Sequence, residues 1–266
     1  MTAEAQHDAW GAGANYEQYM GRWSRLAARL FLDWLEPEPG LSFLDVGCGT
    51  GALTGTILQR CSPRAVVGID PSGGFLSHAR LGLPASRNAL VRANAAALPC
   101  RDGSAAAVVS GLAYNFIPDR KQALSEMQRV VMPGGLVAIY VWDYPGVGVG
   151  FMNAFWEAAI SLDADAQRHN QSLRFHFCTP ESLAAEFSDG GLAEVEVSPI
   201  EITTVFRDFE DFWRPFTLGA GPAPGYCVAL EQEQREALRR RLEVRFGTES
   251  EIHLPARAWA VRGRRL

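Results

Sequence analysis

Apolar and polar positions along this chain fall into blocks whose period switches between two residues and about 3.6. Within 16–35, Leu26, Leu30, Phe31 and Trp34 sit at helical spacing, which predicts an amphipathic helix ended by Pro37 and Pro39-Gly40. Short apolar runs then alternate with helical stretches. Strands are predicted over 41–46, 65–70, 90–93, 105–110 and 136–142, and helices over 50–60, 72–81 and 120–131, the last closed by Pro133-Gly134-Gly135. Strands alternating with helices mean βαβ units and a parallel sheet buried on both faces. After Pro145 the rhythm changes. Gly146, Gly148 and Gly150 make a turn, and 151–162 reads as a helix. A further helix starts with Thr179 as N-cap and Pro180 in its first position and stops at Gly190-Gly191. A strand follows over 193–206, with Val195, Val197 and Ile202 as its inward side. Then come an aromatic-rich 207–216, a Gly/Pro loop over 219–225, a charged helix over 228–246 and a closing strand over 252–261. With no repeat and no low-complexity linker, the chain reads as a single domain, 1–266. It divides into a helical lid (1–36), a cofactor-binding core (41–142) and lid insertions (146–177 and 207–249).

Composition narrows the class. A folded chain of 266 residues has a radius of gyration of about 18 Å, ample for a core that needs no disulfide or metal staple. No apolar run reaches the roughly 18 residues of a membrane helix, and residues 1–10 lack the apolar stretch of a secretory signal. The formal charge of −5 argues against a general electrostatic footprint on nucleic acid. Lys121 is the one lysine among 25 basic residues, which speaks of the source genome rather than of function. Cys48, Cys61, Cys100, Cys178 and Cys227 form no CxxC pair and have no zinc-ligand spacing. They read as reduced thiols of a cytoplasmic protein, and no metal site is expected.

The chemistry is concentrated in Leu44-Asp45-Val46-Gly47-Cys48-Gly49-Thr50-Gly51. A strand runs into a glycine loop that opens a helix, so a ligand can lie against the backbone where side chains would block it. Gly47, Gly49 and Ala52 satisfy the dinucleotide fingerprint, and Asp70 ends the next strand, where an acid receives ribose hydroxyls. These residues alone define a nucleoside-cofactor site of open identity. Asp45, two residues before the first glycine, suits a ligand carrying an ammonium and a sulfonium and would repel a pyrophosphate. The long helical stretch before the first strand also exceeds what a simple dehydrogenase needs.

With LDVGCGTG at 44–51, GIDPS at 68–72, ANAAALPCRDGS at 93–104 and RVVMPGG at 129–135, the chain resembles the class I S-adenosylmethionine-dependent methyltransferases. Within them it resembles most the ubiquinone/menaquinone-methyltransferase-like branch that acts on small molecules. The resemblance is strong over 41–142 and loose elsewhere. It implies an α/β, Rossmann-like, doubly wound sheet of seven strands, mostly parallel, with the last strand inserted antiparallel beside the fifth. It also implies roles. Asp45 and the loop of Gly47, Cys48, Gly49 and Gly51 would hold the methionine moiety. Asp70 would take both ribose hydroxyls, with Pro71 and Ser72 lining the adenine pocket. Asn94 stands where the family often has Asp, and its carbonyl can still accept from the adenine amine while the Ala95 N–H serves the ring. Ser110, Gly111 and Leu112 would lie beside the sulfonium. Asn115 reads either as a turn residue or as a polar contact to cofactor or acceptor.

Methyl transfer is an in-line displacement for which the cofactor supplies the electrophile, so the absence of a catalytic triad is no objection. The segment after the fourth strand, Ser110-Gly111-Leu112-Ala113-Tyr114-Asn115-Phe116, lacks the (N/D/S)PP(Y/F) motif of nucleic-acid amino methyltransferases. A small-molecule acceptor is expected, with no nucleic-acid or membrane partner and a monomer or homodimer as the working form. Acceptor contacts are expected from Tyr16, Tyr19, Arg22 and Trp23, from Trp142, Asp143 and Tyr144, and from Phe151, Phe155, Trp156, Phe212, Trp213 and Phe216. The plainer use of any one of these aromatics is packing. Among His7, His169, His176, Tyr16 and Asp143 as general bases, Tyr16, His176 and Asp143 form the candidate catalytic set. A nicotinamide dehydrogenase and a non-catalytic cofactor-binding module are the alternatives.

Overall fold

The central strands are runs of β-branched residues with no polar face. Val66, Ile69, Val108, Val109, Val137 and Ile139 are each at most 1% exposed, and strands buried on both sides form a parallel ladder covered by helices. The computed structural model describes residues 13–84 and 86–266; His7 lies outside them. Its strands are β1 (Ser42–Val46), β2 (Ala65–Asp70), β3 (Asn88–Arg92), β4 (Ala105–Gly111), β5 (Val131–Trp142), β6 (Ala193–Phe206) and β7 (Ile252–Arg264). They make one seven-stranded sheet in the order β3-β2-β1-β4-β5-β7-β6. β1 to β5 pair in parallel, with Leu44 opposite both Val67 and Val108. β7 inserts antiparallel between β5 and β6, the expected reversal beside the fifth strand. Strand order reverses direction at β1 and β4, and their carboxyl ends open the crevice where such sheets bind ligands.

Local chemistry sets the helix starts. Ser72, Asp119 and Thr179 accept from the backbone N–H groups of Phe75, Gln122 and Ser182, capping the helices Gly73–Gly82, Arg120–Val130 and Pro180–Asp189. Pro199 sits in β6, at the sheet edge, where a strand tolerates a missing donor.

Five local expectations change. The Arg22–Leu35 helix turns Trp23, Ala27, Ala28, Phe31, Leu32 and Leu35 inward, whereas Leu30 is 37% exposed and Leu26 and Trp34 are half-buried. The Gly/Pro stretch forms a helix, Pro222–Ala229, because Pro222 and Pro224 fall in its first turn, where no intrahelical donor is lost. The charged helix therefore begins later, at Gln232, behind a capping box of Glu231 and Gln234. β5 pairs from Val131 rather than from residue 136, and a register break between Ala105 and Ala107 absorbs Pro133-Gly134-Gly135. On β6 the buried side chains are Ile200, Ile202, Thr204 and Phe206, with Val195 and Val197 half-buried toward its outer end.

The aromatic residues of the segments after β5 pack mainly on one another. Phe155 stacks on Phe216 at 4.5 Å and 14°, and Phe212 lies 5.5 Å from Phe216 and 5.3 Å from Phe206. Such pairs add to the burial of large apolar surface. Phe155→Ala is expected to cost about 3–5 kcal/mol of unfolding free energy in urea titrations; a loss below about 1 kcal/mol would show that this layer does not carry the fold.

Candidate functional site

The site grows from the turn between β1 and the Ala52–Arg60 helix. Gly47, Gly49 and Gly51 all have positive φ (74°, 55° and 89°), a region that L side chains enter at a cost. Each glycine is there for a different reason. A Cβ on Gly47 would come within 2.5 Å of the Ala113 Cβ, and one on Gly51 within 2.9 Å of Leu83. Their lack of a side chain serves packing, and Gly51 does not line the cavity. A Cβ on Gly49 would meet only Phe75, at 4.0 Å, and so would stand in open space. The loop is pinned to β2: the Ile69 carbonyl accepts from the N–H groups of Gly47 and Cys48 at 2.7 and 3.0 Å. Asp70 completes the clamp, accepting from the Gly49 N–H at 3.0 Å and the Ser72 N–H at 2.8 Å. Burial raises the Asp70 carboxyl above its ordinary value, and these two donors oppose the rise.

Beside this clamp lies a cavity of about 640 Å³, within the usual range of ligand sites. Asp45, Gly47, Cys48, Gly49, Asp70, Pro71, Ser72, Asn94, Ala95 and Leu112 of the sequence-derived cofactor set line it. Ser110 and Asn115 do not. Both are buried, Ser110 behind Gly47 and Asn115 in the Tyr114–Phe116 turn, and the Ser110 Oγ and the Asn115 Nδ2 have no partner among the described residues. Asn94 is exposed, and its Oδ1 accepts from the Ala96 N–H at 2.9 Å, so one lone pair of that oxygen already serves a turn. Leu112 holds a left-handed φ of 56° at the mouth of β4, a strained setting fixed by its N–H bond to the Tyr140 carbonyl.

Of the candidate catalytic residues only Tyr16 reaches the cavity. Its hydroxyl lies 3.3 Å from the Ser24 Oγ, and burial raises its pKa. Asp143 is buried away from the cavity. Its two oxygens accept from the N–H groups of Gly146 and Val147, which closes the turn after β5. His176 is exposed on the surface, outside the cavity, with its ring 6.0 Å from Phe177. Arg22 is held by Asp211 at 3.0 and 3.2 Å, and Trp23 is core. Phe151, Phe155, Trp156, Phe212, Trp213 and Phe216 lie behind the cavity lining and not in it.

The cavity also has walls that the sequence reading did not single out. Tyr140 and Phe75 line it, as do Met20, Met152, Phe116 and Ile117. Tyr140 is the one hydroxyl-bearing residue in an otherwise apolar β5 run, and that was the available signal. Gly111, its neighbour on β4, gives the phenol room: a Cβ there would come 2.6 Å from the Tyr140 hydroxyl. Phe75, in the first turn of its helix, leans toward Tyr16 at 5.5 Å.

Asp45 is fully buried. One carboxylate oxygen accepts from the Thr54 hydroxyl at 2.6 Å, while Oδ1 has no partner among the described residues. Burial pushes its carboxyl from an ordinary 3.8 up to about 7. An orphaned carboxylate oxygen beside an open glycine cradle, with a second acid, Asp70, ending the next strand, fits a nucleoside that carries a cationic amino-acid tail.

Fold and site together define the class I S-adenosylmethionine-dependent methyltransferases, and the chain belongs to that family. Residues 44–139 match the family described as a methyltransferase domain. The chain is 30% identical over 244 residues to the malonyl-[acyl-carrier protein] O-methyltransferase of Geobacter sulfurreducens, a match covering 88% of each chain. It is 32% identical over 184 residues to an uncharacterized 37.1 kDa protein in transposon Tn4556 of Streptomyces fradiae, a match covering 67% of this chain and 50% of that protein. Among solved structures, phosphoethanolamine N-methyltransferase 2 of Haemonchus contortus with S-adenosyl-L-methionine superposes with a TM-score of 0.60 at 16% identity, covering 96% of this chain and 57% of that one; it shares the fold. Among the described residues no cluster of three or more His, Cys, Asp or Glu could hold a metal, and no helix is long and apolar enough to cross a membrane.

With Asp45 as the partner of the cofactor's ammonium, binding is expected to depend on pH. Its raised pKa means that the ligand-free protein holds the proton below about 7 and releases it above, whereas a cationic tail needs the ionised form. S-Adenosylhomocysteine is expected to bind about tenfold more tightly at pH 8 than at pH 6, as the ionised fraction climbs from about a tenth to about nine tenths. Calorimetry across this range checks it, with Asp45→Asn giving a flat profile. A flat profile in the unaltered protein would contradict the role of Asp45.

Proposed function

We propose that this protein transfers a methyl group from S-adenosylmethionine to a small-molecule acceptor of apolar or aromatic character. One observation carries the reading: the glycine cradle and an aromatic wall share one cavity, so a cofactor and an apolar partner have adjoining places. The bound cofactor supplies a methyl group made electrophilic by positive sulfur. The protein's task is alignment and exclusion of water. Asp45 and the loop at Gly47–Gly49 would hold the amino-acid tail, and Asp70, through its remaining lone pairs, the ribose. Tyr16 and Phe75 would flank the nucleoside. Ser24 and Met20, on the Arg22–Leu35 helix and the turn before it, would close the cover.

The names of the similar proteins point to different acceptor atoms, an oxygen for the Geobacter protein and a nitrogen for the Haemonchus one. They select no acceptor here, and the character of the wall is the better guide. Tyr16 is the one member of the candidate catalytic set in position to take part. Asp143, with both oxygens engaged by backbone N–H groups, serves the loop instead.

Methyl-labelled S-adenosylmethionine offered with a panel of phenols, quinols and aryl amines is expected to yield labelled product with at least one apolar aromatic acceptor. Asp70→Ala is expected to lower kcat/KM at least tenfold through loss of the ribose contact. Tight NAD binding with no response to S-adenosylhomocysteine in calorimetry would overturn the reading.

A further inference from the structure

Tyr19 lines the cavity and is 2% exposed, and its hydroxyl, itself buried, has no partner among the described residues. Its ring is fixed from outside by Phe151 and Phe216, edge-on at 5.5 and 5.6 Å. Those two residues belong to the segments that follow β5. Tyr19 shares the cavity lining with Met20, Phe116, Trp142, Tyr144 and Met152.

This wall is apolar and rigidly backed. Phe175 supports Phe116 at 5.1 Å and Tyr144 at 4.8 Å from behind. No Arg, Lys or His is among the described residues that line the cavity, and its acids are Asp45 and Asp70. An anionic acceptor would enter a dry space with two carboxylates and no cation to meet it. A cationic acceptor would share that space with a positive sulfonium. Burial holds the Tyr19 phenol well above its ordinary pKa, so it remains a neutral donor. A buried hydroxyl without a partner is costly unless a ligand completes it.

Resting on the methyltransferase reading, we infer that Tyr19 anchors the acceptor: its hydroxyl donates to an oxygen of an electrically neutral, largely apolar molecule. Charge selection comes from the lack of cations in the wall, and orientation from this one hydrogen bond.

The test uses the full chain saturated with S-adenosylhomocysteine and four probes of one shape: naphthalene, 2-naphthol, 2-naphthoate and 2-naphthylmethylammonium. At neutral pH, 2-naphthol is expected to bind at least tenfold more tightly than either charged probe. Tyr19→Phe is expected to weaken 2-naphthol about tenfold, the worth of one hydrogen bond, while leaving naphthalene and S-adenosylhomocysteine unchanged. A merely structural role for the hydroxyl would weaken both aromatic probes alike and would overturn the assignment. So would 2-naphthoate binding as tightly as 2-naphthol, or no probe binding to the loaded protein. Failure of the unaltered protein to bind S-adenosylhomocysteine would bring down the methyltransferase reading itself, and this inference with it. That outcome is distinct from cofactor binding with a null effect at Tyr19.

Discussion

Much of this molecule hangs on one buried carboxylate and the two backbone donors that it holds. Asp70 accepts from Gly49 in the first βα turn and from Ser72 in the second, tying two loops of different strands at one point. A carboxylate only 7% exposed would be costly without such donors. With them it fixes the start of the Gly73–Gly82 helix and the course of the glycine loop together. The Ile69 carbonyl, receiving Gly47 and Cys48, repeats the constraint one residue earlier. The cavity floor is therefore set by backbone hydrogen bonds, and its shape does not depend on flexible side chains.

The cover is attached with similar economy. Glu17, in the π-helical turn Glu17–Gly21, accepts from the Thr50 hydroxyl at 2.5 Å and pairs with Arg25. That joins the turn to the glycine loop itself, and π turns of this kind recur at functional sites. Farther out, Asn15 donates to the Leu218 carbonyl, and Arg22 is held by Asp211 while its guanidinium lies over the rings of Trp23 and Phe206. The later segments mostly hold the cover and back the wall, through Asp211, Leu218, Phe216 and Phe175. Met152, like Tyr144 in the turn after β5, enters the cavity directly.

The parts of this design that are local were legible in the sequence. The strands, the cap at Thr179, the glycine loop and Asp70 each depend on a few neighbouring residues. What depends on crossing elements was not. The inward face of the Arg22–Leu35 helix carries Ala27 and Ala28 beside Phe31, Leu32 and Leu35, while Leu26 and Leu30 lie outside it. Tyr140 and Phe75 enter the site only because β4 leaves a glycine beside one and the helix after β2 tilts the other toward Tyr16. Asp143 and the exposed His176 had the right chemistry for a base. The first is consumed by its own turn, and the second lies in a segment whose buried member is Phe175. The aromatic groups of the later segments were legible as a set, but only the three-dimensional arrangement separates those that brace the wall from those that form it.

The central claim is that one cavity seats cofactor and acceptor together, with Asp70 toward the nucleoside and Tyr19 toward the acceptor. A crystal structure with S-adenosylhomocysteine tests it most directly. The account expects the ribose hydroxyls within hydrogen-bond distance of Asp70, the amino group at the Asp45 Oδ1, and the sulfur facing a space bounded by Tyr19, Trp142 and Tyr144. A ligand seated with its sulfur turned away from Tyr19, or bound outside the Asp45–Asp70 cradle, would contradict it.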